Sequence, residues 1–149
     1  RRQGIRCAED DTWSDIFSRV LVERIEPGLA RETTPVVLDE YPAVEAALAR
    51  RVPRDQRLAE RFELYVAGVE LANAFGELTD PTEQRRRFTA EMDERERVWG
   101  DRYPLDEAFL AALAHMPPTS GIALGFDRLV MLATGAQHVS EVIWAPIDQ

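Results

Sequence analysis

Acidic residues are set among apolar ones in Arg61-Phe62-Glu63-Leu64-Tyr65-Val66-Ala67-Gly68-Val69-Glu70-Leu71-Ala72-Asn73-Ala74-Phe75-Gly76-Glu77-Leu78-Thr79-Asp80, and this is where chemistry would start. Phe62, Leu64 and Val66 alternate with Glu63 and Tyr65. Val69 and Leu71 alternate with Glu70 and Ala72 on the far side of Ala67-Gly68. A period of two on both sides of a two-residue break predicts a β-hairpin. Pairing across that break sets Tyr65 opposite Glu70 and Glu63 opposite Ala72, so Glu63 and Glu70 become diagonal neighbours on one face. At a diagonal spacing of roughly 7 Å, two unit charges repel by about 2 kcal/mol at an effective dielectric near 20. A cation between them relieves this, and Mg²⁺ suits the pair because it is held by one or two carboxylates with phosphate oxygens completing its shell. Two solvated glutamates on the wet face of a sheet satisfy the same pattern. Strict alternation puts Asn73 on the apolar face, which predicts a bulge near Asn73 to Gly76 with Gly76 supplying an unusual backbone angle.

The second chemical stretch is Ser120-Gly121-Ile122-Ala123-Leu124-Gly125-Phe126-Asp127-Arg128-Leu129-Val130-Met131-Leu132. Small residues alternating with apolar ones predict a strand, then a corner and a helix stopped by Gly135. Gly121, Ala123 and Gly125 would let a ligand approach the backbone, and a helix N-terminus favours anions. Arg128 falls in the first helical turn, where the helix dipole disfavours a lone cation. It should therefore have an anionic partner, either Asp127 or another acid, or a phosphate gripped by its planar fork.

The remaining elements must position these residues. Trp13, Ile16, Phe17, Val20, Leu21 and Ile25 recur at helical spacing, predicting an amphipathic helix entered near Asp11-Thr12 and stopped by Pro27-Gly28. Pro35-Val36-Val37-Leu38, ending at Tyr41-Pro42, reads as a buried strand, and residues 43 to 50 as a helical turn or more. Pro53-Arg54-Asp55 punctuates before the hairpin. Asp80-Pro81-Thr82-Glu83 opens a mostly charged helix through Trp99 with a capping residue and proline at the first helical position. Its Arg85-Arg86-Arg87 run is interleaved with acids and reads as a solvated face. Phe109, Leu110 and Leu113 mark another helix ending before Pro117-Pro118, and Val142-Ile143-Trp144, within Val139 to Pro146, reads as a short edge element. The fold class is α+β, an antiparallel β-sheet flanked by helices.

With 149 residues, 45% of them hydrophobic, the chain can bury one core. Its net charge is −9, and all 18 basic residues are arginine, since the sequence contains no lysine. That balance excludes the basic stripe of a duplex-binding surface. Cys7 is the single cysteine, so neither a disulfide framework nor a cysteine zinc site is available. No membrane span or signal segment is read, and a cytoplasmic location is expected. His115 and His138 read as structural, and Cys7 as a bystander.

Taken together, these motifs resemble the catalytic domain of class II aminoacyl-tRNA synthetases, lysyl branch, over about residues 36 to 147. Glu70 to Leu78 is similar to that branch's E-x-x-N-G-F-x-E-L segment, with Ala74 in place of the usual glycine. Gly121 to Arg128 is similar to its motif 3, G-x-G-x-G-x-D-R. Arg61-Phe62-Glu63 and Tyr41-Pro42 fall at matching places. Thr79 after Glu77-Leu78, Ser140-Glu141-Val142-Ile143 and Ala123 make the resemblance closer to a short paralogous family without an anticodon-binding domain, the elongation factor P lysine ligases.

The resemblance implies ATP-dependent activation of a lysine-type amino acid, with (R)-β-lysine passed to a lysine of elongation factor P. By position it implies that Glu63 and Glu70 hold Mg²⁺ against the ATP phosphates and that Glu77 pairs with the substrate ε-ammonium. It further implies that Asn73 contacts the amino acid or ATP, and that Arg128 grips the γ-phosphate beside Gly125. Ala123 and Gly121 would border the amino acid, and the Ala123 methyl would crowd an α-amino group more than a β-amino group; an alanine that merely packs a strand is the competing reading.

Motifs 1 and 2 of the family are not found, so residues 1 to 35 are expected to be a variable helical connection. Residues 36 to 149 would then be the C-terminal part of a catalytic domain, inactive alone and from a longer, possible homodimeric protein. The alternatives are a lysyl-tRNA synthetase piece charging tRNA, the less expected partner, and a non-catalytic module that kept the fold.

Overall fold

The computed structural model describes residues 4–145. They form two compact units, each assembled from separated pieces of chain. The first comprises the chain up to Leu38, Phe62–Asn73 and the chain from Ile122, and the second comprises Asp39–Arg61 and Ala74–Gly121.

In the first unit, α1 (Trp13–Val20) starts at Thr12, whose hydroxyl and the Asp15 carboxylate bond each other's backbone amides in a capping box. The helix does not stop at Pro27-Gly28 as expected. A π turn over Leu21–Ile25 widens it, and α2 (Glu26–Leu29) continues beyond. Pro27 lies in the first turn of α2, where a missing N–H removes no intrahelical bond.

A four-stranded sheet has the order β1 (Val36–Asp39), β4 (Arg61–Val66), β5 (Val69–Gly76), β6 (Ser120–Leu124). The β1 strand is present but is not buried. It is an outer strand, and Val37 is 55% exposed.

The hairpin between β4 and β5 turns at Ala67-Gly68, both with positive φ, 50° and 79°. Two consecutive left-handed residues are what a two-residue turn needs to match the strand twist. Gly68 is required for space as well, because a Cβ there would lie 2.8 Å from Ala30 Cα. The expected sidedness is reversed on β4. Glu63 and Tyr65 are buried while Phe62 is exposed, because the polar pair satisfies itself by a hydrogen bond instead of facing water.

The expected bulge at Asn73 to Gly76 takes another form. Leu71 and Ala72 are buried in succession, and alternation of burial resumes through Ala74 and Gly76. Gly76 is not among the residues with positive φ. Its glycine is required by close approach, since a Cβ there would land on the Glu60 carboxylate and 3.0 Å from Arg50 Nε.

After β6, α5 (Phe126–Thr134) ends at Gly135 with φ 75°, as read. The expected edge element at Val142-Ile143-Trp144 is replaced by a 3-10 turn over Val139–Glu141 and an irregular tail with Trp144 fully exposed; Pro146 lies outside the described residues. His138 caps that turn through Nδ1, the structural role expected of it.

The second unit holds β2 (Arg51–Val52) and β3 (Asp55–Ala59), an antiparallel pair joined by Pro53-Arg54, preceded by a 3-10 turn at Ala43–Glu45. Its helices are α3 (Pro81–Trp99) and α4 (Glu107–Leu113). Asp80 caps α3 by accepting from the Thr82 and Glu83 amides, and Gly100 closes it with φ 72°. Ala46, Ala49 and Ala59 are buried together, with Phe75 packed against them. Arg61 stacks over Tyr41, its guanidinium carbon 4.3 Å from the ring centroid, and donates to Glu45 O at 2.5 Å.

Candidate functional site

The first unit brings four of the expected polar residues into two linked pairs. Glu63 on β4 is 5% exposed, a burial that a carboxylate tolerates only with partners. Tyr65, two residues along the same strand, donates its hydroxyl to Glu63 Oε2 at 2.8 Å. Asn73 on β5 directs Nδ2 to Glu63 Oε1 at 3.4 Å. Burial, above all, raises the Tyr65 hydroxyl well above its ordinary range, followed by its bond to Glu63 and the charges of Glu63, Glu26 and Glu70. The phenol therefore stays protonated and remains a donor. Tyr65 and Glu26 had no place among the expected site residues; for Tyr65 the signal was its i+2 spacing from Glu63.

The second pair is Glu70 with Arg128. Arg128 Nη1 donates to the Glu70 carbonyl at 2.6 Å and to Glu70 Oε2 at 3.2 Å. Of the partners left open for Arg128, the acid is thus Glu70. Gly125 caps α5 and donates its N–H to Leu71 O at 2.9 Å. A Cβ at Gly125 would meet Arg128 Cδ at 3.2 Å, so the glycine leaves room for the arginine stem to fold back. Ala123, on β6, is exposed. Both Glu70 and Arg128 are partly exposed, with side chains 35% and 49% accessible, and an ion pair of that exposure is worth little.

Glu77 and Gly121 lie together in the second unit. The Glu77 amide, just past the end of β5, donates to Thr119 O at 3.1 Å, and Glu77 forms an isolated antiparallel bridge with Ala49. Its carboxylate crosses the face of Gly121. A Cβ at Gly121 would stand 2.5 Å from Glu77 Oε1, closer than side chains tolerate. The Glu77 backbone is thus fixed on two sides, and its carboxylate lies over a bare glycine.

Arg87, expected on a solvated face, is instead buried, and Gln84 is buried beside it. The available signal was the i,i+4 spacing of Glu83 and Arg87, which form an ion pair at 2.9 Å.

As to metals, no group of three or more His, Cys, Asp or Glu residues suited to a metal ion occurs among the described residues. What the first unit offers is two carboxylates, one hydrogen-bonded by neutral donors and one paired with a half-exposed arginine. That donor set fits a hard cation that takes its other ligands from phosphate and water, rather than an all-protein cage.

Residues 20–149 match the family model described as tRNA synthetases class II (D, K and N). Curated relatives include a protein of Edwardsiella ictaluri named "Elongation factor P--(R)-beta-lysine ligase", 49% identical over 84% of this chain and 38% of its own length. Proteins of the same name from Hamiltonella defensa and Haemophilus influenzae are 45% and 44% identical over 91% and 99% of this chain, and 42% and 46% of theirs. The chain spans less than half the length of these relatives. The hairpin carboxylates, the Gly125-Arg128 corner and the match over residues 20–149 agree, and the chain belongs to the class II tRNA synthetase (D, K and N) family.

Proposed function

We propose that this chain is the C-terminal part of the catalytic domain of an ATP-dependent ligase. It would activate a lysine-type amino acid, (R)-β-lysine in preference to α-lysine, as its aminoacyl adenylate and pass it to a lysine of elongation factor P. The observation that carries the reading is the Glu77 carboxylate held across Gly121, in a chain whose relatives are named for a lysine-derived substrate.

The division of labour follows from the chemistry. Attack of the amino acid carboxylate on the ATP α-phosphate needs alignment and charge neutralisation more than a protein base. Glu63 and Glu70 would hold Mg²⁺, which when bound neutralises phosphate charge. Tyr65 keeps the Glu63 carboxylate oriented from below, and Asn73 shares that carboxylate while offering its amide oxygen to the amino acid or ATP. Arg128 exchanges the Glu70 carboxylate for the γ-phosphate, a change a flexible, half-exposed pair permits at low cost, and Gly125 gives its stem room to swing. Glu77 confers selectivity: without an ammonium partner its charge is left unpaired, so neutral isosteres are rejected far more strongly than a missing methylene would be. A cytoplasmic setting goes with a translation factor as acceptor, and among the described residues no helix is long and apolar enough to cross a membrane.

Amino-acid-dependent ATP–pyrophosphate exchange on the full-length protein tests the reading, comparing α-lysine, (R)-β-lysine and no amino acid, with Glu77→Gln and Arg128→Ala alongside. Exchange strongest with β-lysine and lost in both variants is expected. Preference for α-lysine would indicate a tRNA-charging enzyme, and no exchange with any amino acid would indicate a binding module.

A further inference from the structure

Residues 46–50 have no helix or regular strand until Arg51, yet Ala46 and Ala49 are 3% and 0% exposed. Buried carbonyls in irregular chain must find donors from elsewhere. Here α3 supplies them. Arg87 Nη1 donates to the carbonyls of Ala46 at 3.0 Å, Ala47 at 3.3 Å and Ala49 at 2.7 Å, while its Nε holds Glu83 Oε1 at 2.9 Å. Gln84, 1% exposed, adds Nε2 to Ala47 O at 3.1 Å.

The other side of the same segment is bonded to the chain around Glu77. Arg50 N donates to Gly76 O at 2.7 Å, Leu78 N donates to Leu48 O at 2.9 Å, and Ala49 forms a bridge with Glu77 itself. The segment is therefore a spacer clamped between α3 and the residues flanking the carboxylate. From these contacts we infer that Arg87, assisted by Gln84, is a positioning residue that sets where the Glu77 carboxylate stands. It acts through the 46–50 backbone and touches no substrate. The inference rests on the reading of Glu77 as the ammonium receptor.

The residue types fit the task. Nη1 faces the converging carbonyls while Nε, on another edge of the same planar guanidinium, holds Glu83, a division that a single lysine ammonium cannot make. The tolerance is narrow, because Glu77 Oε1 lies against Gly121 and a carboxylate displaced by an ångström can cost on the order of a hundredfold.

Steady-state kinetics of the full-length protein with Arg87→Lys, Gln84→Leu and Glu77→Gln, each checked by thermal melting, test this. The expected result is a rise of about tenfold or more in amino-acid KM for both Arg87→Lys and Gln84→Leu, with ATP KM within about twofold and weaker rejection of norleucine, which lacks the ammonium. Two outcomes overturn it: an unchanged amino-acid KM in folded Arg87→Lys and Gln84→Leu while Glu77→Gln still raises it, or amino-acid and ATP KM rising together in step with lost melting temperature, which marks a general structural role. If Glu77→Gln itself leaves amino-acid KM unchanged, the receptor reading fails and takes this one with it.

Discussion

In the proposed site, single atoms would decide selectivity at Gly121 and Ala123. A methyl at Gly121 would lie 2.5 Å from Glu77 Oε1, and since that oxygen ends a flexible side chain, the carboxylate moves and the fold survives. Gly121→Ala in the full-length protein is expected to leave the melting temperature nearly unchanged while raising amino-acid KM and sparing ATP KM; a parallel loss of both affinities would show that the glycine serves something else. At exposed Ala123 one methyl can contribute about 1–3 kcal/mol of discrimination. Ala123→Gly should then shift activation toward α-lysine, and an unchanged ratio of α- to β-lysine activation ends that idea. Most of the polar residues were legible because acid among apolar residues is conspicuous in a sequence. The burial of Glu63 was not. Periodicity assigns the apolar parity of Phe62, Leu64 and Val66 to the core, whereas a glutamate with a tyrosine donor at i+2 can be buried in their stead. Arg87 was hidden for a related reason: composition cannot tell which of three consecutive arginines turns inward.

At the scale of elements, α3 joins capping, charge and position in one helix. Hydrogen bonds from Arg86, two of them, and from Arg87 draw the Glu83 carboxyl from 4.5 to about 2, against the opposing effect of burial. A carboxyl depressed in the folded state contributes stability that is complete above its unfolded pKa and is lost as pH falls through the folded one. The window therefore runs from about 4.5 down to about 2. Urea unfolding should show Glu83→Gln less stable than the parent at neutral pH, with the gap closing toward pH 2; a gap independent of pH would mean the ion pairs are idle. Elements with local signals were readable: α3 from Asp80-Pro81, α5 from its terminal Gly135, the hairpin from Ala67-Gly68. The β2–β3 pair was not, since Arg51-Val52 and Asp55–Ala59 carry no alternation of apolar residues. Nor was the π turn after α1, which carries the helix past a proline that alone reads as a stop.

For the molecule as a whole, the α+β class was accessible because strand and helix periods differ, but the division into two units was not, since it depends on contacts between residues far apart in sequence. The absence of lysine has a measurable consequence. The proposed transfer of an activated amino acid to a lysine amine would find no ε-amine in these 149 residues, so intact-mass and peptide analysis of the full-length protein after incubation with ATP and (R)-β-lysine should find no side-chain amide formed on them. Such an adduct on this stretch would require a different acceptor chemistry. The interleaving of the two units also orders events at the ribosome. The second unit needs both Asp39–Arg61 and the chain to Gly121, and the first needs Phe62–Asn73 and everything from Ile122 onward. Neither can close on a nascent chain until synthesis has passed its last piece, whereas the clamp of Arg87 on Ala46, Ala47 and Ala49 needs only residues made before Gly121 emerges to meet Glu77.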